Sequence, residues 1–132
     1  MDIAYRWRAP LTDIQVNTLH AAAFGHRVLP APTMARLHRH SLGWVSAHDG
    51  DSLVGFVNVA WDGRRHAFLL DTCTAPDRQG GGIGTALVAH AVDRSRDAGC
   101  EWLHVDYEEH LTGFYLGACG FRPTAAGLIR LT

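Results

Sequence analysis

Residues 74–85 of this chain read Thr-Ala-Pro-Asp-Arg-Gln-Gly-Gly-Gly-Ile-Gly-Thr, and four glycines within five positions make this the most informative stretch of the sequence. A strand-like apolar run precedes it and a helical pattern follows it, so the glycines lie in a strand-to-helix loop. Ordering four glycines costs conformational entropy. A loop whose backbone N–H groups converge on an anion at the positive end of a helix would explain that cost. The stretch therefore predicts a phosphate-binding loop, with an ordinary tight turn as the alternative.

The spacing of the glycines excludes two common nucleotide-binding motifs. The dinucleotide pattern G-x-G-x-x-G fails, because a match that begins at Gly80 meets Thr85 and one that begins at Gly82 meets Leu87. The P-loop pattern also fails, since no Lys-Ser or Lys-Thr follows the glycines. The pattern that does fit is [Gln/Arg]-x-x-Gly-x-[Gly/Ala].

This third pattern is matched by Gln79, Gly82 and Gly84 and resembles the pyrophosphate loop of the GNAT acyltransferase superfamily. The lead-in Thr-Ala-Pro-Asp-Arg is similar to the strand end of that superfamily. Residues 114–121, Phe-Tyr-Leu-Gly-Ala-Cys-Gly-Phe, are similar to its Phe-Tyr and Gly-Phe signature. The resemblance extends from about residue 53 to the C-terminus and includes the order of elements, whereas before residue 43 only that order matches.

The periods of the apolar residues predict the order β-α-α-β-β-β-α-β-α-β and an α/β fold (an α+β mixed sheet). The unit from 66 to 106 is β-α-β, which requires parallel neighbouring strands, and two hairpin turns before it indicate antiparallel pairs. Strands are predicted at 3–7, 43–47, 53–61, 66–74, 102–106 and 128–131, and helices at 13–24, 33–40, from 83 to a stop at Gly99, and 111–119. The family resemblance implies that the two central parallel strands splay apart.

Local signals predict where several elements begin and end. Thr12 and Gln15 form a capping box for the first helix, which Gly25 ends. Thr33 is predicted to cap the second helix. The apolar run 68–70 predicts a buried strand.

Composition limits the class of protein. The 132 residues are 47% hydrophobic and carry a formal net charge of −1, which suits a single domain over 1–132 and no nucleic-acid partner. No signal-peptide run or membrane-spanning stretch is present, so we expect a cytoplasmic protein. The three cysteines show no C-x-x-C pairing and are expected to be reduced. His38 and His40 flank Arg39, but no zinc-ligand spacing occurs and no metal is expected.

The resemblance implies that acetyl-CoA, as co-substrate, lies between the strand that ends at Thr74 and the strand that ends at Asp106. Its pantetheine arm would pair with the main chain of Cys73, Thr74 and Ala75, and an N–H near Cys73 or Thr74 would stabilise the oxyanion. The pyrophosphate would bind the N–H groups of Gln79, Gly80, Gly81, Gly82, Ile83, Gly84 and Thr85.

The resemblance also makes Tyr115 the candidate general acid that protonates the departing CoA thiolate. The family usually has three residues between this Tyr and the Gly of Gly-Phe, whereas four precede Gly120 here. Counting back from Gly120 would put Leu116 in the catalytic place. The open alternative is that Tyr115 is an amphipathic residue at the edge of the core.

Acidic residues near the expected strand ends supply candidates for the general base that the amine needs. Asp71 and Glu109 are the named candidates among a group that also contains Asp106, Glu108 and His110. This acidic group suggests a cationic amine acceptor. Direct attack by the amine is favoured over a covalent intermediate on Cys73, because no His/Asp pair for that thiol is evident.

These observations predict an acetyl-CoA-dependent N-acetyltransferase that acts on a primary amine of a small molecule or peptide. No membrane partner is expected, and a homodimer is possible. The alternative function is a catalytically silent acyl-CoA-binding or sensor domain, and a further one is an unrelated phosphate-binding module, against which the absent P-loop lysine argues.

Overall fold

The computed structural model describes residues 2–132 and contains one mixed sheet with helices on both faces. The strands are β1 (Ala4–Trp7), β2 (Ser41–Asp49), β3 (Ser52–Trp61), β4 (His66–Thr74) and β5 (Trp102–Val105). The helices are α1 (Asp13–Phe24), α2 (Thr33–His40) and α3 (Ile83–Asp97), followed by a 3-10 turn (Glu109–Leu111) and a π-helical segment (Gly113–Ala118). No helix within the described residues is long and apolar enough to cross a membrane.

The strands lie in chain order across the sheet, β1-β2-β3-β4-β5. The first four are joined as antiparallel neighbours, and β4 pairs with β5 in parallel. This confirms the predicted mixed α/β fold, because α3 makes the crossover that a parallel pair requires.

Two clusters of buried side chains hold the layers together. On one face α3 packs Leu87 against Val57, and on the other α2 packs Leu37 against Trp44. Neighbouring residues of a strand point to opposite faces, so Trp44 and Val45 belong to different clusters. Fully burying a side chain of this size contributes about 1.5–3 kcal/mol, so these contacts fix the helices on the sheet.

The signals at the ends of α1 and α3 act as the sequence predicts. The Oγ1 of Thr12 accepts the N–H of Gln15 (3.1 Å), and Gln15 Oε1 accepts the N–H of Thr12 (2.9 Å), which completes the capping box. Gly25 (φ 74°) ends α1 and Gly99 (φ 88°) follows α3 in the left-handed conformation that glycine tolerates best.

The prediction that Thr33 caps α2 is wrong. Thr33 is the first helical residue, and its hydroxyl donates to Asn17 Oδ1 (2.5 Å) in α1. The carboxylate of Asp13 instead accepts the N–H of Met34 (2.8 Å), so a residue of α1 satisfies the start of α2. Asn17 also donates to the carbonyl of Ala31 (2.9 Å). These polar contacts fix the corner between α1 and α2.

The apolar run 68–70 is only partly buried, contrary to the prediction. Leu69 is 3% exposed under α3, whereas Phe68 and Leu70 are 39% and 47% exposed. The cluster beneath α1 and α2 reaches Phe56 and Cys73 but not Phe68 or Leu70. An apolar run identifies a strand, but it does not determine how far the covering helices extend.

The predictions for the C-terminal part of the chain are wrong in two places. The helix expected at 111–119 is a 3-10 turn followed by the π-helical segment. The strand expected at 128–131 is absent from the described residues, where no regular element follows Ala118. Leu128, Ile129 and Leu131 are at least 82% exposed. Their composition suits a strand, but a strand needs a hydrogen-bonded neighbour, and none pairs with this segment.

The capping box at the start of α1 makes a testable contribution to stability. Thr12→Ala is expected to lower the free energy of unfolding by about 1 kcal/mol, because it removes the side-chain acceptor for an orphan N–H. The control is Thr18→Ala on an exposed position of the same helix, where alanine is the better helix former. Urea unfolding would measure both, and equal losses in the two variants would contradict the role of the cap.

Candidate functional site

Strand β4 has a strand partner along its whole length on one side only. β3 accompanies it over 67–74, whereas β5 accompanies it only over 66–69. Ala75 donates its N–H to Val54 O (2.8 Å), so strand alternation directs the N–H and C=O of Thr74 away from β3. The last part of β4 therefore presents an open backbone edge where β5 has ended.

A β-bulge lies where this open edge begins. Phe56 pairs with Cys73 and Asn58 pairs with Leu70, so one residue of β3 faces two residues of β4, Asp71 and Thr72. Asp71 has φ 57°, an uncommon backbone conformation for a residue other than glycine. The extra residue sends Asp71 to the α1 face of the sheet and Thr72 to the α3 face.

The glycine-rich loop joins β4 to the N-terminus of α3. Gly80 and Gly82 have φ 82° and 88°, a conformation that a side chain would strain. The first helical hydrogen bond of α3 runs from the N–H of Ala86 to Gly82 O (3.1 Å). The N–H groups at 83–85 thus precede the helical ladder, and no acidic side chain stands in the first turn. The loop can accept an anion there.

The side chain of Arg78 ties the loop to the β2–β3 hairpin. Its Nη2 contacts Asp49 Oδ2 (2.5 Å), and both side chains are less than one third exposed. Gln79 donates its side-chain amide to the carbonyl of Thr74 (3.4 Å). The loop is therefore anchored on both sides.

Gly84 allows the π-helical segment to approach α3 closely. A Cβ at Gly84 would lie 3.2 Å from Phe114 Cζ and 3.8 Å from Thr74 Oγ1. Phe114 in turn meets Tyr115 edge to face, with ring centroids 4.8 Å apart. The absence of a side chain at position 84 thus helps to set where Tyr115 lies.

Tyr115 is buried (6% exposed), and its hydroxyl faces the side chain of Thr72 in β4. Burial raises the pKa of Tyr115 above its usual 10.0, the Thr72 side chain partly opposes this, and Cys119 raises it further. Its ring stacks on Tyr107 at 5.1 Å. The hydroxyl therefore stays protonated at neutral pH beside the open edge of β4.

The π-helical segment accommodates the unusual spacing between Tyr115 and Gly120. Cys119 donates its N–H to Phe114 O (2.9 Å), a bond five residues long, and Phe121 donates to Tyr115 O (2.9 Å). One extra residue would rotate an α-helical side chain by about 100°. A π turn absorbs an inserted residue without that rotation. Tyr115 points inward, and Leu116 does not take its place in the cluster beneath α3.

A pocket of about 290 Å³ lies on the opposite face of β4. It is bounded by α1, the α1–α2 loop, α2 and the bulge, and its lining is mostly apolar apart from a few polar groups. Its charged and titratable lining side chains are His20, His26, Arg36 and Asp71.

Asp71 contacts two of the pocket-lining groups directly and is connected to a third through His20. Its Oδ1 lies 3.3 Å from His20 Nε2, and its Oδ2 lies 3.9 Å from Arg36 Nη2. His20 Nδ1 lies 2.8 Å from His26 Nε2. The bulge thus places a carboxylate at the base of a pocket built mainly from α1 and α2.

Sequence comparison identifies the family to which this arrangement belongs. The Acetyltransferase (GNAT) family matches residues 5–121. The chain belongs to the GNAT acetyltransferase family. This family agrees with the acetyltransferase resemblance and the acetyl-CoA co-substrate that the sequence predicted.

Individual proteins show the same relationship. The chain is 33% identical over 116 residues to a mycothiol acetyltransferase from Nocardia farcinica (strain IFM 10152), a match that covers 80% of this chain and 37% of that protein. The chain therefore spans little more than a third of that relative's length. A GNAT acetyltransferase from Streptococcus pneumoniae TIGR4 has TM-score 0.81 at 24% identity, covering 99% of this chain and 98% of the other. A GNAT acetyltransferase from Brucella melitensis in complex with acetyl-CoA has TM-score 0.69 at 18% identity, covering 86% and 81%.

The thiol of Cys73 is buried beneath α1 on the pocket side of β4. Burial, with a smaller contribution from Asp71, raises its pKa to about 12. Since the thiolate is the nucleophilic form, a thiol in this environment is a poor nucleophile.

The candidate site residues of this GNAT domain fall into two groups. Asp71 and Thr74 lie in the free part of β4, which is the part after residue 69 that β5 does not pair with, and Tyr115 lies beside it. Gln79 to Thr85 form the loop at the end of the strand. The N–H of Ala75 is already bonded to β3 and is not available on the open side. Glu109 is exposed on the 3-10 turn, outside the lining of the pocket.

Sequence reasoning missed Thr72, His20, His26 and Arg36. No local motif marks them, and His20 meets Asp71 across 51 positions of sequence. The sign that could have been used is the pair of histidines on either side of the Gly25 helix stop. Among residues 2–132, no group of three or more His, Cys, Asp or Glu side chains is arranged to hold a metal ion.

The raised pKa of Cys73 predicts a specific loss of stability in alkali. The folded state keeps the thiol proton up to about pH 12, whereas the unfolded state releases it above about pH 9, so ionisation favours unfolding between these values. In that window the free energy of unfolding should fall faster in wild type than in Cys73→Ala, by up to about 1.4 kcal/mol per pH unit. Denaturant unfolding at stepped pH measures the difference. Parallel curves for the two proteins would show that Cys73 is not responsible.

Proposed function

We propose that this domain transfers the acetyl group of acetyl-CoA to a primary amine of a small molecule by direct attack. One observation carries the proposal: the free part of β4 has the Tyr115 hydroxyl on one face and a pocket with Asp71 on the other. A thioester at the open edge between them would meet an acid from the α3 side and an amine from the α1 side.

In this proposal the main chain of β4 and the glycine loop bind the cofactor. The N–H and C=O of Thr74 pair with the pantetheine arm, which takes the place that β5 leaves open. The pyrophosphate binds the N–H groups of the glycine loop and of the first turn of α3. A backbone N–H near Cys73 or Thr74 stabilises the tetrahedral oxyanion, since a donor of this type is typically worth about 2.7–4 kcal/mol.

Tyr115 acts as the general acid toward the departing CoA sulfur. Its raised pKa keeps the proton available through neutral pH, and the hydroxyl faces Thr72 at the strand edge. Cys73 takes no covalent part, because its thiol is buried and its pKa is about 12. Attack by the amine on the thioester carbon therefore precedes loss of the thiolate, and no acyl-enzyme forms.

The pocket favours a small cationic acceptor. A volume of about 290 Å³ lies at the lower end of the range for ligand pockets, which suits a compact molecule rather than a peptide. Asp71 offers a carboxylate to an ammonium group, and the exposed Arg36 can pair with a second, electron-rich group of the acceptor. Asp71 is thus the better of the two proposed acidic residues for the acceptor side, and Glu109 lies outside the pocket.

The silent acyl-CoA-binding alternative is not favoured. It depended on the four-residue spacing after Tyr115, and the π turn gives that spacing a physical explanation. Acetyl-CoA is a cytoplasmic metabolite, and we propose that the enzyme acts in that compartment.

The cofactor site can be tested by isothermal calorimetry with acetyl-CoA on wild type, Gly82→Asp and Gly82→Asn. Both variants place a side chain of similar size at φ 88°, so they share the backbone strain and differ in charge. We expect the aspartate variant to bind at least about tenfold more weakly than the asparagine variant, since its carboxylate would face the pyrophosphate. Equal affinities for the two variants, or no binding by folded wild type, would reject this placement.

The role of Tyr115 can be tested with Tyr115→Phe, beside the matched control Tyr107→Phe in the stacked neighbour. Loss of a general acid should lower kcat by about 100-fold or more while acetyl-CoA affinity stays within about threefold. The control removes a hydroxyl from the adjacent ring and should keep its kcat. Thiol release would be followed at saturating acetyl-CoA with ethanolamine, cadaverine and glucosamine as amine probes, and a similar kcat in both variants would remove Tyr115 from the mechanism.

A further inference from the structure

Three side chains form a hydrogen-bonded row along the wall of the acceptor pocket. Asp71 Oδ1 lies 3.3 Å from His20 Nε2, and His20 Nδ1 lies 2.8 Å from His26 Nε2. The row ends where His26 Nδ1 meets the carbonyl of Arg27 at 2.6 Å. It begins at the bulge of β4 and ends at an exposed residue of the loop after α1.

The donors and acceptors of this row determine how many protons it holds. The Arg27 carbonyl can only accept, so His26 Nδ1 carries a proton and the neutral His26 ring accepts at Nε2. His20 must then donate from Nδ1, which leaves the Nε2 of a neutral His20 unprotonated. That nitrogen faces Asp71 Oδ1, and an ionised carboxylate also only accepts. Two neutral rings supply two N–H protons for three contacts, which are Asp71–His20, His20–His26 and His26–Arg27. A hydrogen bond in all three contacts therefore requires one more proton, between Asp71 and His20.

That additional proton decides the charge of the pocket. The charged and titratable lining groups are Asp71 from β4, Arg36 from α2, His20 from α1 and His26 from the following loop. Arg36 and Asp71 cancel, so the pocket is neutral without the extra proton and carries one positive charge with it. His20 can therefore take a proton from an ammonium group bound at Asp71 only when it does not hold the additional proton.

We propose that His20 and His26 form the proton-transfer pair of the acetyl transfer, with His20 taking a proton from the acceptor amine and His26 passing it to solvent. This inference rests on the proposed function. Asp71 is a positioning residue toward His20, because its carboxylate lies 3.3 Å from His20 Nε2 and orients the ring. His26, which is exposed, connects the row to water.

The protons of the reaction balance through these groups. With the additional proton absent, the bound ammonium gives one proton to His20 Nε2, and the resulting amine forms a C–N bond to the thioester carbon. Collapse of the tetrahedral intermediate breaks the C–S bond, and the sulfur takes a proton from Tyr115. The second proton lost by the nitrogen restores Tyr115, while the first leaves through His26. The products are the amide, CoA with a free thiol and one proton in solvent.

The tautomers of the row can be measured without any acceptor, by ring-nitrogen NMR of the 15N-labelled full chain. Because the Arg27 carbonyl can only accept, the neutral rings of His26 and His20 should both carry their proton on Nδ1. Asp71→Asn has nearly the same shape and its amide can donate to His20 Nε2, so the same tautomers should persist in that variant. A proton on Nε2 of either neutral ring would overturn the inference.

The transfer role can be measured with two kinds of nucleophile. His20→Gln should lower kcat/KM for ethanolamine, cadaverine or glucosamine by about 100-fold near neutral pH, and by less as pH rises and free amine replaces ammonium. Transfer to hydroxylamine, which is mostly neutral at that pH, should change by less than about threefold. The matched control is His66→Gln, from the exposed pair that His66 Nδ1 makes with His104 Nε2 (2.8 Å) outside the pocket.

The outcomes separate this inference from the proposed function. Equal losses of His20→Gln toward both nucleophiles would indicate a structural role for His20 and reject the proton-transfer pair, while the transferase function would stand. Absence of turnover by folded wild type with every amine and with hydroxylamine would instead contradict the proposed function itself. Retention of amine activity in His20→Gln at all pH values would also reject the pair.

Discussion

The rest of the structure depends on one constraint: β4 pairs with β3 from residue 67 to residue 74, apart from the bulge, but with β5 only as far as residue 69. Main-chain N–H and C=O groups need partners when water is excluded. The parallel register ends where the bulge begins, so the strand leaves hydrogen-bonding capacity toward a gap and not toward a neighbour. A ligand with alternating amide groups can occupy such a gap as an added strand. In the proposed function, cofactor binding is thus a consequence of where β5 ends.

The α3 side of this gap is shaped by small residues and an irregular helix. Gly84 lets Phe114 lie against the first turn of α3, and Phe114 supports the ring of Tyr115. The π turn then returns the chain toward Phe121, whose ring meets Tyr115 edge to face at 5.9 Å. Tyr115 is held by aromatic rings from three positions and by Thr72. A side chain placed this way loses little freedom on substrate binding, which suits the proposed role of Tyr115 as the general acid.

Local chemistry explains how much of this could be predicted from the sequence. The glycine loop, the capping box at Thr12 and the order of strands were predictable, because each depends on residues close together in the chain. The extent to which the apolar run 68–70 is buried could not be predicted, since Phe68 and Leu70 are apolar but α1 and α2 do not cover them. The row from Asp71 to His26 could not be predicted either, because it depends on how α1 and the loop after it pack against the bulge of β4.

The same reasoning explains why the residues of the pocket could not be predicted from the sequence, whereas the glycine loop could. A pyrophosphate is recognised by main-chain N–H groups, which require glycines at fixed spacing and so leave a pattern in the sequence. An acceptor amine is recognised by side chains that several elements bring together, and many residue types could serve at each place. In the proposed function those side chains are Asp71, His20 and Arg36, from three different elements.

The bulge connects these two modes of recognition. Leu69 points to the α3 face. Without the extra residue, strand alternation would therefore place Asp71 on the α3 face and Thr72 on the α1 face, the reverse of their present positions. With it, Thr72 meets the Tyr115 hydroxyl on one face while Asp71 meets His20 on the other. A left-handed backbone at Asp71 costs free energy, and such strain persists where surrounding contacts over-determine it. Here Asp71 contacts His20 and Arg36, and in the proposed function these same groups receive the acceptor.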